Sequence, residues 1–157
     1  MYKALRQPKE IVAEVERNRK KIQNDQECII LTLKNSVKLV VTSDSFHCIR
    51  NVDYKYICAL CNATMESEMQ VKENHKNLEE HQRLLNTYPY LEELAENLIR
   101  QISNSHCYCT LCSIVTPVHL VSSHVLSDEH KHELDKALLK AESYKPCEPF
   151  DLNHNNK

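Results

Sequence analysis

Two stretches of this 157-residue chain carry the same ordered set of cysteines and histidines. The first runs Cys58-Ala-Leu-Cys61, then thirteen residues to His75 and five (KNLEE) to His81. The second runs Cys109-Thr-Leu-Cys112, then eleven residues to His124 and five (VLSDE) to His130. Together they form an internal repeat with a period of about 50 residues. Zinc takes four nitrogen or sulfur donors in a tetrahedron, and a CxxC turn supplies two thiolates with very little backbone. The two histidines are then expected on a helix whose apolar face packs against the hairpin that bears the cysteines. Leu60, Met65 and Val71 would fill the miniature core of the first unit, and Leu111, Val115 and Val121 that of the second. Neither unit is large enough to fold on burial alone, so metal binding and folding are expected to be one event.

The histidine spacing predicts a deformation. Six positions along a regular helix turn a side chain by about 600° and raise it roughly 9 Å, leaving the two imidazoles about 120° apart. A regular helix cannot bring both to one ion, so the turn between them must loosen, kink or bulge in both units.

Ligand choice in the second unit has competitors: Cys107 for Cys109, and His119 or His132 for His124 or His130. Cys28 and Cys48 lie in apolar, strand-like runs and read as small buried hydrophobes. His47 has no partner at ligand spacing, and Cys147 falls in the proline-flanked tail.

Composition narrows the classes. The chain contains no glycine, which removes the Gly-rich phosphate loop and the dinucleotide fingerprint, both of which need a backbone without side chains. No stretch approaches the roughly 18 apolar residues of a membrane span, and the N-terminus lacks the apolar run of a signal peptide. A soluble, intracellular protein is expected, and in a reducing compartment its eight cysteines and nine histidines point to zinc rather than disulfides. Each quartet closes its coordination sphere with four protein donors, and the HxE signature of the zinc deaminases is missing. No catalytic residue is assigned, and neither an enzyme nor a small-molecule substrate is expected.

CALC with HKNLEEH, and CTLC with HVLSDEH followed by HKHELDKALL, resemble the matrin or spliceosomal type of two-cysteine two-histidine zinc finger. The resemblance covers the two units, under half of the chain. It implies two zinc ions, one on Cys58, Cys61, His75 and His81 and the other on Cys109, Cys112, His124 and His130. It also implies a nuclear location and RNA, as finger modules of this type bind double-stranded RNA. Two departures stand out: the family's Phe position after the second Cys is Met65 in one unit and Thr116 in the other, and the helices are acidic.

Elsewhere, Pro8 to Asp25 predicts an amphipathic helix, and Glu27 to Leu33 with Val37 to Thr42 a β-hairpin joined by Lys34-Asn35-Ser36. Phe46 to Val52 predicts a third strand. Between the quartets Leu91, Leu94, Ala95, Leu98, Ile99 and Ile102 recur at helical steps, predicting an amphipathic helix from Thr87 to Ser103 capped by Thr87. Its stripe reads as core, or else as a dimer seam. The expected fold is a small α+β chain in which two ββα-like fingers flank a connecting helix, after an N-terminal helix and hairpin. The divisions are 1–53, finger one over 54–86, the helix over 87–104, finger two over 105–143, and a disordered tail over 144–157.

Charge decides how partners are weighed. The net charge is -2. Tyr56 to Asn86 holds three basic residues against five acidic, and so does Cys107 to Glu142. Such surfaces repel a phosphate backbone, and Glu66, Glu68, Gln70 and Glu73 stand where base-reading side chains would. RNA is therefore expected to meet the basic cluster Arg17, Arg19, Lys20 and Lys21, with a protein partner of nearly equal weight.

Overall fold

The computed structural model describes residues 27–143. The helix expected over 8–25, the cluster Arg17, Arg19, Lys20 and Lys21, and the tail with Cys147 lie outside the described residues.

The hairpin forms as its β-branched runs dictate. Strand β1 (Cys28–Thr32) pairs antiparallel with β2 (Lys38–Thr42), in a register running from Cys28 opposite Thr42 to Thr32 opposite Lys38. The Asn35 Oδ1 accepts from the Val37 N–H at 3.1 Å, and Ser36 takes the left-handed conformation that reverses the chain. A single helical turn, α1 (Ser43–Phe46), leaves β2 directly, its first turn capped by the Thr42 hydroxyl accepting from the Ser45 N–H.

Two three-stranded antiparallel sheets follow. The first joins β3 (Ile49–Val52), β4 (Lys55–Cys58) and β5 (Ala63–Glu66); the second joins β6 (Ile99–Gln101), β7 (His106–Cys109) and β8 (Ile114–Pro117). Each feeds an interrupted helix. In the first case this is α2 (Met69–Lys76) then α3 (Glu79–Thr87). In the second, a 3₁₀ turn (Val118–Leu120) leads into α4 (Val121–Val125) and α5 (Asp128–Ser143). The break between the histidines that their spacing demands is therefore present twice. The strand expected over 46–52 shortens to β3, and its partner is β4 rather than the hairpin.

The helix expected from Thr87 to Ser103 does not form. Thr87 ends α3, Glu92–Asn97 is a 3₁₀ segment kinked at Ala95, and Ile99–Gln101 is strand β6. Leu98, Ile99 and Arg100 are consecutive and all buried, which the one-sided stripe of a surface helix cannot achieve. Leu98 packs under the hairpin while Ile99 packs with Cys107, Cys109 and Val121. The dimer-seam reading falls with the helix, because Leu98 is wholly inside.

The hairpin and the two sheets interlock. β2 lies on α5, and Leu39, Val41, Leu98 and Ala137 form one cluster. Tyr108, from the second sheet, is buried in the core of the first with Cys48, Ile49, Cys58, Leu60, Met65 and Leu85. Arg100 is buried as well: its guanidinium lies 4.9 Å from the Phe46 ring centroid and 4.0 Å from that of Tyr90, and donates to the Tyr88 carbonyl at 2.9 Å. Among the described residues no helix is long and apolar enough to cross a membrane.

Candidate metal centres

Each CxxC turn is placed by the same local device. Cys58 ends β4 and Cys109 ends β7, so the first thiol of each pair is fixed by the sheet. The residues after the second cysteines, Asn62 and Ser113, are left-handed with φ of 54° and 55°, and turn the chain back into β5 and β8. In a chain without glycine this conformation costs about 1–2 kcal/mol per residue. The preceding turn is braced from behind: the Ala59 N–H donates to the Cys48 carbonyl at 2.9 Å and the Thr110 N–H to the Leu98 carbonyl at 3.1 Å. Cys48 and Leu98 are themselves left-handed and buried.

The helix breaks deliver the histidines. In the first unit Leu78 is extended between α2 and α3, and the Gln82 side chain donates to the Lys76 carbonyl at 2.6 Å, satisfying a group the break exposes. In the second, the Ser127 hydroxyl donates to the His124 carbonyl at 2.7 Å and accepts from the His130 N–H at 3.3 Å, tying one histidine's backbone to the other's. The outcome is alike: the His75 and His81 ring centroids are 4.8 Å apart, as are those of His124 and His130.

Four donor atoms converge at each centre, from Cys58, Cys61, His75 and His81 in one and Cys109, Cys112, His124 and His130 in the other, all within 4.8 Å of one another. The His81 Nδ1 lies 3.6 Å from the Cys58 Sγ and 3.3 Å from the Cys61 Sγ. The His130 Nδ1 lies 3.5 Å from the Cys109 Sγ, 3.6 Å from the Cys112 Sγ and 3.1 Å from the His124 Nε2. Donors at zinc bonding distance on a tetrahedron stand about 3.4–3.8 Å apart, so these edges fit such an ion closely. The His75 Nε2 supports the fit from another side: it is buried and has no hydrogen-bond partner among the described residues. A buried nitrogen left alone is costly, and a metal ion satisfies it.

The surroundings of the first centre exclude charge. Burial raises the Cys58 thiol, and burial with the neighbouring Cys58 pushes Cys61 up to about 12. Burial, helped by nearby His47 and His75, lowers His81 to about 4, and burial also lowers His75. In the second centre the hydrogen bond between the two thiols raises Cys112 and draws Cys109 down. A divalent cation reverses this logic by stabilising both thiolates. Soft sulfur with imidazole in a four-donor set suits zinc.

The competing residues in the second unit stay out of the cluster. Cys107 is buried on β7 with Ile99 and Val121, while His119 and His132 are exposed. Cys48 is a buried apolar contact, as its sequence context predicts; Cys28 lies half-buried in β1.

Two residues beside the centres were not legible as participants. His47 faces His81, Nδ1 to Nε2, at 2.9 Å, and the Asn97 Oδ1 faces the His130 Nε2 at 2.8 Å. The signal that finds them is the repeat: they stand 50 positions apart, 97 less 47, each two residues before the strand that opens its sheet.

Two lysines of the first unit are not available to a ligand. Lys72 and Lys76 are buried, and both pair with Asp44, at 2.9 and 2.8 Å. Lys76 also reaches Glu73, and Lys72 lies over the Tyr56 ring. Burial opposes the charge on Lys72, yet the hydrogen bond and charge of Asp44 hold its ammonium above the ordinary value. Arg83 pairs with Glu80.

Compared with protein-family models, curated proteins and solved structures, the chain gives no significant match to any of the three.

Proposed function

We propose that the chain is a non-catalytic binding module, held in shape by two structural zinc ions, whose partner is a protein surface. The observation that carries the zinc reading is the convergence of four donors at tetrahedral spacing at each of two centres. A coordination sphere filled by the protein leaves no position for substrate or activated water.

The choice of partner rests on charge. Duplex recognition needs cations free to displace counterions from phosphates. Among the finger-one cations between Tyr56 and Asn86, Lys72 and Lys76 are buried against Asp44, which leaves Arg83, in an exposed pair with Glu80, at the surface. Beside the second centre Ile114, Val118 and Leu120 are exposed apolar side chains. These favour contact with protein over contact with nucleic acid.

A second reading has its own support. The resemblance to matrin-type fingers implies RNA and a nuclear setting, and Arg17, Arg19, Lys20 and Lys21 supply a basic segment. The experiment is a salt titration of duplex RNA binding by the zinc-loaded chain. No measurable affinity at low salt is expected. Tight binding that weakens with salt, and that disappears when the four basic residues are reversed in charge, would establish the RNA reading instead.

A further inference from the structure

We infer that His47 and Asn97 are positioning residues for the metal centres, each holding the outer ring nitrogen of its unit's second histidine so that Nδ1 is presented to the ion. The inference rests on the reading of both quartets as metal sites.

The geometry in the second unit fixes the chemistry. The Asn97 Nδ2 donates to the Leu94 carbonyl at 2.9 Å, which leaves the amide oxygen as the atom facing His130. An amide oxygen only accepts, so the His130 Nε2 carries the proton. A neutral imidazole protonated at Nε2 has its lone pair at Nδ1, and that atom lies between the Cys109 and Cys112 sulfurs.

In the first unit an imidazole takes the place of the amide. The His81 Nδ1 faces both thiols, so its Nε2 carries the proton and donates to the His47 Nδ1. His47 is held in turn by the Phe46 ring, which stands edge-on to it at 5.3 Å.

The placement has one backbone cause in both units. His47 precedes left-handed Cys48, and Asn97 precedes left-handed Leu98. Each left-handed residue turns the chain beneath the CxxC turn and receives the Ala59 or Thr110 N–H. The side chain just before it is thereby directed at the histidine that closes the quartet. Two different residue types reach one atom in one role, which random surface contacts do not produce. Outer partners of this kind raise ligand basicity and fix ring orientation, and their loss costs about 10- to 100-fold in metal affinity.

The test uses the full chain with zinc and a competing chromogenic chelator, reading each site's affinity by pairing every variant with Cys58→Ser or Cys109→Ser to silence the other. His47→Ala should weaken the first site by about 10- to 100-fold and affect the second far less, and Asn97→Ala should do the reverse. His47→Asn should restore most of the loss, whereas His47→Phe, which fills the space but accepts nothing, should not. Affinities unchanged within twofold in both alanine variants would overturn the inference. Should a variant not fold, nitrogen-15 spectra of the unaltered, zinc-loaded chain decide: His81 and His130 must be protonated at Nε2 and metal-bound at Nδ1, and the opposite pattern refutes the assignment. Absence of bound zinc in the unaltered chain would instead remove the metal reading itself.

Discussion

The Ser45 hydroxyl, on the turn that leads into the first sheet, donates to the carbonyl of Thr110, which sits between the two cysteines of the second CxxC turn. The same hydroxyl lies 2.9 Å from the Ser113 Oγ, the left-handed residue that closes that turn. The turn before the first sheet therefore grips the second CxxC turn through a buried side chain.

Ser45→Ala is expected to destabilise the chain by about 1–3 kcal/mol, since it leaves a buried carbonyl unsatisfied. Urea denaturation measures the loss. Hydrogen exchange adds the location: the amides of Thr110 and Ser113 should lose protection more than those of the hairpin. Uniform loss across the chain would mean that the clasp is not local to the second turn.

Asp44→Ala leaves the buried Lys72 ammonium without a carboxylate and Lys76 with Glu73 alone. Breaking a buried pair by removing one partner costs about 3–5 kcal/mol, and here one carboxylate serves two partners. Folding should be severely impaired, with partial recovery when Lys72→Met and Lys76→Met are added. For the same reason Lys72→Glu should act on stability, read by thermal melting, before it acts on any binding assay.

Metal analysis of the purified chain should return two zinc ions per molecule, and Cys58→Ser should return one. A value of zero for the unaltered chain would sink the structural reading. Chelation should disorder both sheets and also the hairpin, because β2 rests on Leu98 and α5. Circular dichroism with and without chelator checks this. A hairpin that kept its exchange protection in the metal-free chain would show that it folds independently.

Arg100→Lys is expected to cost about 1–2 kcal/mol, because an ammonium cannot stack flat between Phe46 and Tyr90 while reaching the Tyr88 carbonyl. The unfolding midpoint in urea, compared at equal slope, gives the value.

What the sequence made legible follows from how local each signal is. The β1–β2 hairpin is written in short β-branched runs around Asn35-Ser36, and the broken helices are written in the six-residue histidine step. Strand β6 is not written locally, and β3, although expected within 46–52, takes its partner β4 from outside the hairpin. Leu98, Ile99 and Ile102 keep helical spacing, yet Leu98 turns left-handed and Ile99 pairs with Cys109, so the segment's form is set by partners distant in sequence. His47 and Asn97 escaped for the same reason: their roles depend on strands whose positions the spacing of cysteines and histidines does not give. The buried state of Lys72 and Lys76 was also hidden, because Asp44 lies 28 residues before Lys72.

Tyr108 is the neighbour in sequence of the candidate ligand Cys109 and a member of the first unit's core. If both centres take an ion, loosening the second is expected to loosen the wall of the first, and by thermodynamic reciprocity an ion in either would strengthen the hold on the other. As free zinc rose, such a chain would then fill over a narrower concentration range than two separate fingers, and half-loaded molecules would be scarce.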